Sequence, residues 1–340
     1  MNQETYSAQR AAVVLACLLT GAANAPAIAG TPVVGAVESI SVTVSDMERS
    51  LHFYRDVLGF ESVSDTEVTG DEYEHLYGVF GARVRIVTLR LGDERLKLEQ
   101  FLASHGRPIP SDSHSNDGWF QHVAIIVSDM DRAYAWLREH HVEQSSPGPQ
   151  LLPSWNPNAG GIAAYYFRDP DGHSLEVLHF PVGKGDAKWQ RPTGQLFLGI
   201  DHTAIVVSNT DESLGYYRNT LGLHVAGTSE NYGPEQERLN NVFGARLRIT
   251  ALRGTAGPGV ELLEYLAPRT GRPMPVDTLA SDLWSWHIDM QADISAADQG
   301  IRQRHYAYVS PGPVKLGTSG SDTELLVRDP DGHATLLMQR

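Results

Sequence analysis

The residues best suited to chemistry lie in a short segment that the chain contains twice. FRDPDGHSLEVLHF runs from Phe167 to Phe180, and VRDPDGHATLLMQR runs from Val327 to Arg340. The D-P-D-G string is turn chemistry and implies no catalysis, and we interpret the histidine after it as structural. Three residues beyond that histidine, one copy has Glu176 and the other has Leu336. A carboxylate on an apolar strand is costly unless it is paired or bound to a metal ion, so Glu176 is a candidate ligand.

Three other histidines occur at equivalent places, each at the start of a strand-like run. They are His122, His202 and His287, followed by VAIIV, TAIVV and IDM. A single histidine on a strand is usually structural. Because these three recur in separate repeats, and imidazole is the commonest metal ligand, the sequence favours a ligand role.

Two more carboxylates lie in strand-like runs. Glu264 alternates with leucines in VELLEYL, so it is predicted to share their apolar face. Glu261 is the alternative if the strand register differs by an odd step, because side chains alternate between faces. Glu99 shares its predicted face with Lys97, and a surface ion pair is the alternative to a ligand role there.

A tandem duplication organises these residues. GARVRIVTLR at Gly81 returns as GARLRITALR at Gly244. We predict one domain over residues 36–182, a linker over 183–195 and a second domain over 196–340.

Each repeat divides again into two modules. A module opens with a β-branched, apolar run that predicts a strand. A polar cap and helical spacing follow, such as Met47, Leu51, Tyr54 and Leu58, and then further strand-like runs. The sequence therefore predicts an α+β fold with the pattern β-α-β-β-β repeated four times.

This arrangement resembles the vicinal oxygen chelate superfamily of glyoxalase I, fosfomycin- and bleomycin-resistance proteins and extradiol dioxygenases. The resemblance is carried by the H-x6-D strand-to-helix openings, by FYRDVLGF and YYRNTLGL, and by the DPDGH turns. It covers nearly all of the chain after the first 35 residues. It implies that two modules form a cupped sheet around one metal ion, with ligands from the first and last strand of each module.

Carried over residue by residue, the resemblance implies one ligand set in each repeat. The first repeat would supply Ser39, Glu99, His122 and Glu176. The second repeat would supply His202, Glu264, His287 and Leu336. Three protein ligands with an open position suit a catalytic metal, and two histidines with one carboxylate are typical of non-haem Fe(II) oxygenases. The second repeat fits that description better. Either both repeats bind metal, or one alone does, and by analogy with extradiol dioxygenases the first would then be the inactive domain. Fe(II) or Mn(II) is the favoured ion, with Zn(II) as the alternative.

Three functions compete. The sequence favours, by a small margin, a dioxygenase acting on a small oxygenated organic compound, aromatic compounds included. The extradiol signature is incomplete, since Tyr166 to Glu176 fits its second half but LLPSWNPNAGGIAAY before it supplies no histidine. The first alternative is a lyase or isomerase of the glyoxalase type, with Glu176 or Glu264 as the base. The second is a metal-free binding protein of the bleomycin-resistance type. Its pocket would use Trp155, Tyr165, Tyr166, Trp284 and Trp286.

Charge and the N-terminal residues suggest partners and location. The net charge of -14 argues against nucleic-acid or anionic-membrane partners, which require clustered Lys and Arg. A small-molecule substrate is the predicted partner, in a monomer or homodimer. Residues 1–29 are a predicted export signal, because AAVVLACLLTGAA follows Arg10 and Ala27-Ile28-Ala29 fits a cleavage site. We therefore predict a periplasmic or secreted protein. Cys17, the single cysteine, lies in that signal.

Overall fold

Eighteen strands and six α-helices account for the part of the chain that the computed structural model describes, residues 33–317 and 322–339. The predicted export signal, residues 1–29, lies outside the described residues. In the described part, every helix is too short or too polar to cross a membrane.

The elements follow the four predicted modules in chain order. Module one contains β1 (Val34–Thr43), α1 (Met47–Leu51, continued by a π-helical turn over His52–Val57), β2 (Glu61–Thr69), α2 (Asp71–Tyr77), β3 (Arg83–Leu91) and β4 (Glu94–Phe101). Module two contains β5 (Gln121–Val127), α3 (Met130–Glu139), β6 (Glu143–Gln144), β7 (Gln150–Leu151), β8 (Ala163–Arg168) and β9 (Ser174–His179). Module three contains β10 (Phe197–Val206), α4 (Thr210–Tyr217), β11 (His224–Tyr232), α5 (Pro234–Asn240), β12 (Arg246–Arg253) and β13 (Gly259–Ala267). Module four contains β14 (Trp286–Ala292), α6 (Ile294–Gln303), β15 (Ala307–Tyr308), β16 (Val314–Leu316), β17 (Asp322–Arg328) and β18 (Ala334–Gln339). The predicted α+β fold and its four modules are confirmed, and modules one and three add the short helices α2 and α5.

The strands form two sheets of nine, and each sheet joins modules from different repeats. In the outer sheet, made of modules one and four, the order is β15-β17-β18-β14-β1-β4-β3-β2, with β16 beside β17. In the inner sheet, made of modules two and three, the order is β11-β12-β13-β10-β5-β9-β8-β6, with β7 beside β8. The expectation of one ligand set per repeat is therefore wrong. Sequence repeats show which positions are equivalent, whereas strand pairing decides which positions meet.

Within each sheet, the two modules are joined through their antiparallel first strands. β1 pairs with β14, where Ser41 lies opposite His287. β10 pairs with β5, where Ala204 lies opposite His122. First-strand ligand positions of two modules are thereby brought to the centre of each sheet.

The four principal helices begin where the sequence predicts. Asp46, Asp129, Asn209 and Asp293 are their N-cap residues, and each side chain accepts a hydrogen bond from a backbone N–H in the first turn. Such a cap stabilises a helix by about 1 kcal/mol. Each cap also fixes the point at which the first strand of its module ends.

Side chains on each strand alternate between a face that packs against these helices and a cup face. On β13, Leu262 packs with Leu214 and Tyr217 of α4, whereas Leu263 lies in the cup with Tyr166. A shift of one residue in register therefore decides whether a side chain reaches the site or the helix.

The DPDGH turns are structural, as interpreted from the sequence. The buried His173 ring lies 2.8 Å from Asp169 through its Nδ1, and His333 makes the same pair with Asp329. Asp171 accepts a hydrogen bond from the backbone N–H of Ser45. The turn of module two is thus tied to the helix start of module one, across the boundary between the sheets.

Candidate metal centre in the inner sheet

Three buried side chains converge in the inner cup. His122 on β5, Glu176 on β9 and His202 on β10 each place one ligand atom within 4.8 Å of the other two. The two Nε2 atoms are 3.4 Å apart. Glu176 Oε2 lies 3.1 Å from His122 Nε2 and 3.8 Å from His202 Nε2. Both imidazoles and one carboxylate therefore point at the same small volume.

Glu261 completes the set as the equivalent of Glu176. In the parallel pairing of β5 with β9, Glu176 lies opposite Ala124, two residues after His122. In the pairing of β10 with β13, Glu261 lies opposite Ala204, two residues after His202. Its Oε2 is 3.4 Å from His202 Nε2, and its side chain is 24% exposed, compared with 6% for Glu176. The inner cup therefore has two histidines and two carboxylates, one of which faces the solvent-accessible side.

Glu264 does not belong to this set, and its assignment as ligand and base is corrected. Its Oε2 accepts a hydrogen bond from the backbone N–H of Thr210 at the start of α4, and Oε1 accepts one from Arg269. Glu264 is three residues beyond Glu261, so it lies on the opposite, helix-facing side of β13. The register alternative that named Glu261 is the one that the structure supports.

The position of Glu264 has the same use in two other modules. Gln100 of β4 accepts from the backbone N–H of Met47, and Gln339 of β18 accepts from that of Ile294. Each of these residues lies on the last strand of its module beside the first turn of a helix. A helix N-terminus carries unpaired N–H groups and a partial positive charge, which explains an acceptor at this place.

A second group of residues orients His202. Asp201 Oδ2 lies 2.9 Å from His202 Nδ1 and accepts a 2.9 Å hydrogen bond from Arg253 Nη2. Trp189, on a 3-10 turn of the linker, donates to the other oxygen of Asp201. Burial would lower the pKa of His202, but the nearby carboxylates of Glu261, Asp201 and Glu176 outweigh it and raise the pKa to about 9. The pKa of Asp201 is held below its usual range by His202 and Arg253 despite its burial.

The donor set fits a divalent metal ion. Two carboxylates in a buried cup are costly without a balancing cation, and Nδ1 of His122 has no hydrogen-bond partner among the described residues. Imidazole and carboxylate are ligands that Zn(II), Fe(II) and Mn(II) all accept. The Asp201–His202 pair matches the carboxylate–histidine contact that usually orients a metal-bound imidazole. A cavity of about 200 Å³ opens in front of these side chains and leaves room for a substrate.

The outer cup has different residues at the same four positions. Ser39 and His287 hold the first-strand positions. Lys97 lies opposite Ser41 on β4, and Leu336 lies opposite Asp289 on β18. The last-strand position of module one is therefore Lys97 rather than Glu99.

Asp289 is the centre of the outer cup. Its Oδ2 lies 2.7 Å from the Lys97 ammonium and accepts hydrogen bonds from the hydroxyls of Ser39 and Ser41. Its Oδ1 is 2.6 Å from His287 Nδ1. The pKa of this carboxyl is well below its usual range, because Lys97 and His287 outweigh the effect of its complete burial.

Glu99 lies two residues beyond Lys97 on the same face and closes the network. Its Oε2 is 3.1 Å from His287 Nε2, and Oε1 accepts a hydrogen bond from the Tyr77 hydroxyl. Burial would lower the pKa of His287, but Glu99 and Asp289 raise it to about 10. Both ring nitrogens of His287 are thus occupied by carboxylates. The proposed metal roles of Glu99 and His287 are corrected accordingly, since they meet neither Glu176 nor His202.

The five candidate pocket aromatics are distributed over several environments. Tyr166 lines the inner cup cavity with its ring 5.0 Å from that of His122. Tyr165 packs in the helix-side core, and Trp155 is half exposed against Tyr232. Trp284 and Trp286 border a separate cavity near the DPDGH turn of module two. They do not form one ligand-binding pocket.

Asp201 and Asp289 were absent from the sequence-based candidates. Each is a carboxylate beside a first-strand histidine, one residue before His202 and two residues after His287. The acidic neighbour is the signal that could have identified them.

Known proteins with similar sequences or structures fit this picture. The family model described as Glyoxalase/Bleomycin resistance protein/Dioxygenase superfamily matches residues 36–177 and 199–336. A 2-epi-5-epi-valiolone epimerase from Actinomyces sp is 31% identical over 163 residues, covering 45% of this chain and 84% of the epimerase. The metallothiol transferase FosB of Staphylococcus haemolyticus is 27% identical over 143 residues, covering 42% of this chain and 81% of FosB.

A solved structure of glyoxalase I from Zea mays superposes with a TM-score of 0.60 at 14% identity, covering 89% of this chain and 92% of that one. At that identity the likeness speaks for the fold alone. Because the family model matches both repeats over most of their length, the chain belongs to the Glyoxalase/Bleomycin resistance protein/Dioxygenase superfamily.

Proposed function

We propose that the inner cup is the active site of a metal-dependent isomerase or lyase. The enzyme would remove a proton from a carbon atom that neighbours an oxygen-bearing carbon. The observation that carries the proposal is the pair of equivalent carboxylates, Glu176 and Glu261, around two histidines. An enzyme of this kind needs ligands to hold the ion and a carboxylate that can act as a base.

The residues divide these roles by burial. His122, His202 and Glu176 form the closely spaced group that would hold the ion. When bound, a divalent ion supplies a Lewis acid that stabilises negative charge on neighbouring substrate oxygens. Glu261 is the more exposed carboxylate and lies outside that group, so it is the base that would take the proton. Asp201 and Arg253 would keep the His202 ring in one orientation during the reaction.

The dioxygenase interpretation placed its metal on a ligand set that does not come together. It depended on His202, Glu264 and His287 as two histidines and one carboxylate in the second repeat. His202 lies on a first strand of the inner sheet, Glu264 lies on the helix-facing side of the same sheet, and His287 lies in the outer sheet.

His122, His202 and Glu176 of the inner cup are also two histidines and one carboxylate. The second carboxylate, Glu261, is the feature that favours proton transfer over oxygen chemistry. The similar protein from Actinomyces sp is named as an epimerase, and epimerisation proceeds by removal and return of a proton, which agrees with the proposal.

Two measurements on one preparation test this function. Protein loaded with Mn(II) or Fe(II) is incubated in deuterated water with a panel of α-hydroxyketones and catechols. Exchange of the carbon-bound proton is followed by NMR, and oxygen uptake by an electrode. We expect exchange without oxygen uptake for at least one α-hydroxyketone. Oxygen uptake with a catechol and no exchange would overturn the proposal in favour of a dioxygenase.

A matched pair of variants locates the base. Glu261→Gln should reduce exchange by about 100-fold or more, the scale of a lost general base, while the variant still holds metal through the other three residues. Glu264→Gln changes the other carboxylate of the same strand and should leave exchange near the wild-type rate. Equal losses in both variants would contradict the role of Glu261.

A further inference from the structure

We infer that the inner cup takes a small substrate whose body, beyond the oxygens that the proposed function places at the metal, is uncharged and largely apolar. The inference rests on the proposed function for the metal end of the site. The size, lining and charge of the cavity carry the rest.

The cavity lining beside the candidate ligands is largely apolar. The side chains that line the cavity there include Leu152, Ile162, Leu178, Phe180, Ile249 and Leu263. Leu178, Leu152 and Leu263 are less than 9% exposed. An apolar group in contact with such a wall gains about 25 cal/mol for each Å² removed from water. The lining therefore favours a substrate with an apolar body.

The cavity offers no cation to an anionic substrate beyond the metal itself. Among the described residues that line it, the histidines and carboxylates are His122, Glu176, Asp201, His202 and Glu261, all at the metal end, and none of the lining residues is a lysine or arginine. The guanidinium of Arg253, behind the lining residue Asp201, is engaged by the side chain and backbone of Asp201. A carboxylate or phosphate at the far end of a substrate would lose its hydration without gaining a partner, which weakens binding.

Neutral polar groups lie beside the apolar side chains in the cavity lining. Asn158 and Asn231 both line the cavity. Asn158 donates to the backbone carbonyl of Thr228, and Asn156 donates to Asn231 across to β11. The segment before β8 is thus fastened over the cavity by amide groups, which can match a hydroxyl or carbonyl but do not balance a charge.

The volume gives a scale for the part of the substrate that the cup holds, since the cavity is open to solvent. About 200 Å³ is below the roughly 300–1,000 Å³ of pockets for drug-sized ligands, and a substituted ring or a short branched chain fits this space. A peptide–thiol adduct carries charges for which the lining offers no partner.

Binding of two catechols that differ only at the far end tests the inference. Protein loaded with Zn(II) is titrated by calorimetry with 4-methylcatechol and with 3,4-dihydroxybenzoate, which share the two oxygens and differ in a methyl group and a carboxylate. We expect 4-methylcatechol to bind at least about tenfold more tightly, equivalent to about 1.4 kcal/mol. Equal or tighter binding of the benzoate, or binding of neither compound to metal-loaded protein, would overturn the inference.

Two wall variants provide the converse test. Leu263→Arg places a cation in the buried wall, and Phe180→Lys places one at the partly buried rim, where folding is less at risk. Each folded variant should shift the preference towards 3,4-dihydroxybenzoate by about tenfold. An unchanged preference in a folded Phe180→Lys protein would count against the inference.

Metal content separates this inference from the proposed function. If the protein retains no metal and still prefers 4-methylcatechol, the inferred substrate class stands and the metal-dependent function fails. If the protein holds its metal and the two compounds bind equally, the inferred substrate class fails and the metal-dependent function is unaffected.

Discussion

The inner and outer cups use the same four strand positions to solve one electrostatic problem in two ways. In the inner cup, Glu176 and Glu261 surround two imidazoles whose ring nitrogens converge, and a divalent ion would balance the charge. In the outer cup, the ammonium of Lys97 and the imidazolium of His287 balance Asp289 and Glu99. A buried carboxylate requires a cation, and the outer cup supplies its own.

The cups also differ in the space that they leave. Tyr77 and Asn240 are equivalent, each four residues before the repeated G-A-R. In the outer cup the buried Tyr77 packs against Phe101 and donates to Glu99. Asn240 is a shorter side chain, and the inner cup keeps its cavity. We expect the inner cup to be the one that binds metal and substrate.

The largest expected effect is on metal content. His122→Ala or His202→Ala should reduce bound metal from about one ion per chain by tenfold or more, because each removes one of three buried ligands. His287→Ala should leave the metal content unchanged, since both its ring nitrogens serve the outer network. Plasma mass spectrometry after desalting gives the ratio. Loss of metal in the His287 variant alone would assign the ion to the outer cup.

Removal of the internal ammonium should destabilise the outer cup. Lys97→Met leaves Asp289 buried without its closest cation, and breaking a buried pair in this way costs about 3–5 kcal/mol. Arg83→Ala, which removes an exposed pair with Glu67, should cost no more than about 1 kcal/mol. Urea unfolding of both variants measures the difference. Similar small losses would mean that Lys97 does not balance the outer cup.

The outer network should make stability depend on alkaline pH. The pKa of His287 is raised from 6.5 to about 10 by Glu99 and Asp289, against the effect of burial. Its contribution is therefore complete below pH 6.5 and is lost as the pH rises through about 10. Between about pH 7 and 10 we expect the free energy of unfolding of metal-loaded protein to fall by roughly 3 kcal/mol more in wild type than in His287→Gln. Parallel curves for the two proteins would mean that His287 is neutral when folded.

The smallest effect on stability and metal content concerns the two carboxylates of β13. Glu264→Ala removes the acceptor at the start of α4 and should cost about 1 kcal/mol, as for a lost helix cap, with no change in metal content. Glu261→Ala should remove proton exchange but leave the metal content and the stability of α4 close to those of the wild type, because Glu261 lies outside the group that would hold the ion. Denaturation, metal analysis and proton exchange of both proteins separate the two roles, and a loss of metal from the Glu264 variant would restore it to the site.

The sequence was sufficient for the modules and for three of the four residues of the candidate site in the inner cup. Repeated strings fixed the equivalent positions, and caps such as Asp129 and Asn209 marked where each first strand ends. His122, His202 and Glu176 followed from that frame. These signals are local, so each was visible in the residues of one module.

Two features required the structure. Equivalence between repeats does not show that β5 pairs with β10 rather than with β1, because that choice depends on contacts between distant strands. Glu261 and Glu264 each lie next to a leucine, so either could share an apolar face. Their three-residue separation places them on opposite faces of the strand. Choosing between them needs the register with β10, in which Ala204 lies opposite Glu261.

The pairing of the sheets also has a consequence for how the chain is made. Modules two and three form the inner sheet from one continuous stretch, residues 121–267, whereas the outer sheet must join β1 to β14, with Val34 opposite Ala292. Contacts between distant residues form late, because a long loop must close first. During synthesis, the inner sheet can therefore assemble before module four has left the ribosome. We expect the edge of β1 that pairs with β14 to remain unpaired until module four has been synthesised. The cup with the candidate metal centre then depends on local assembly, and the outer sheet completes the fold by pairing the first module with the last.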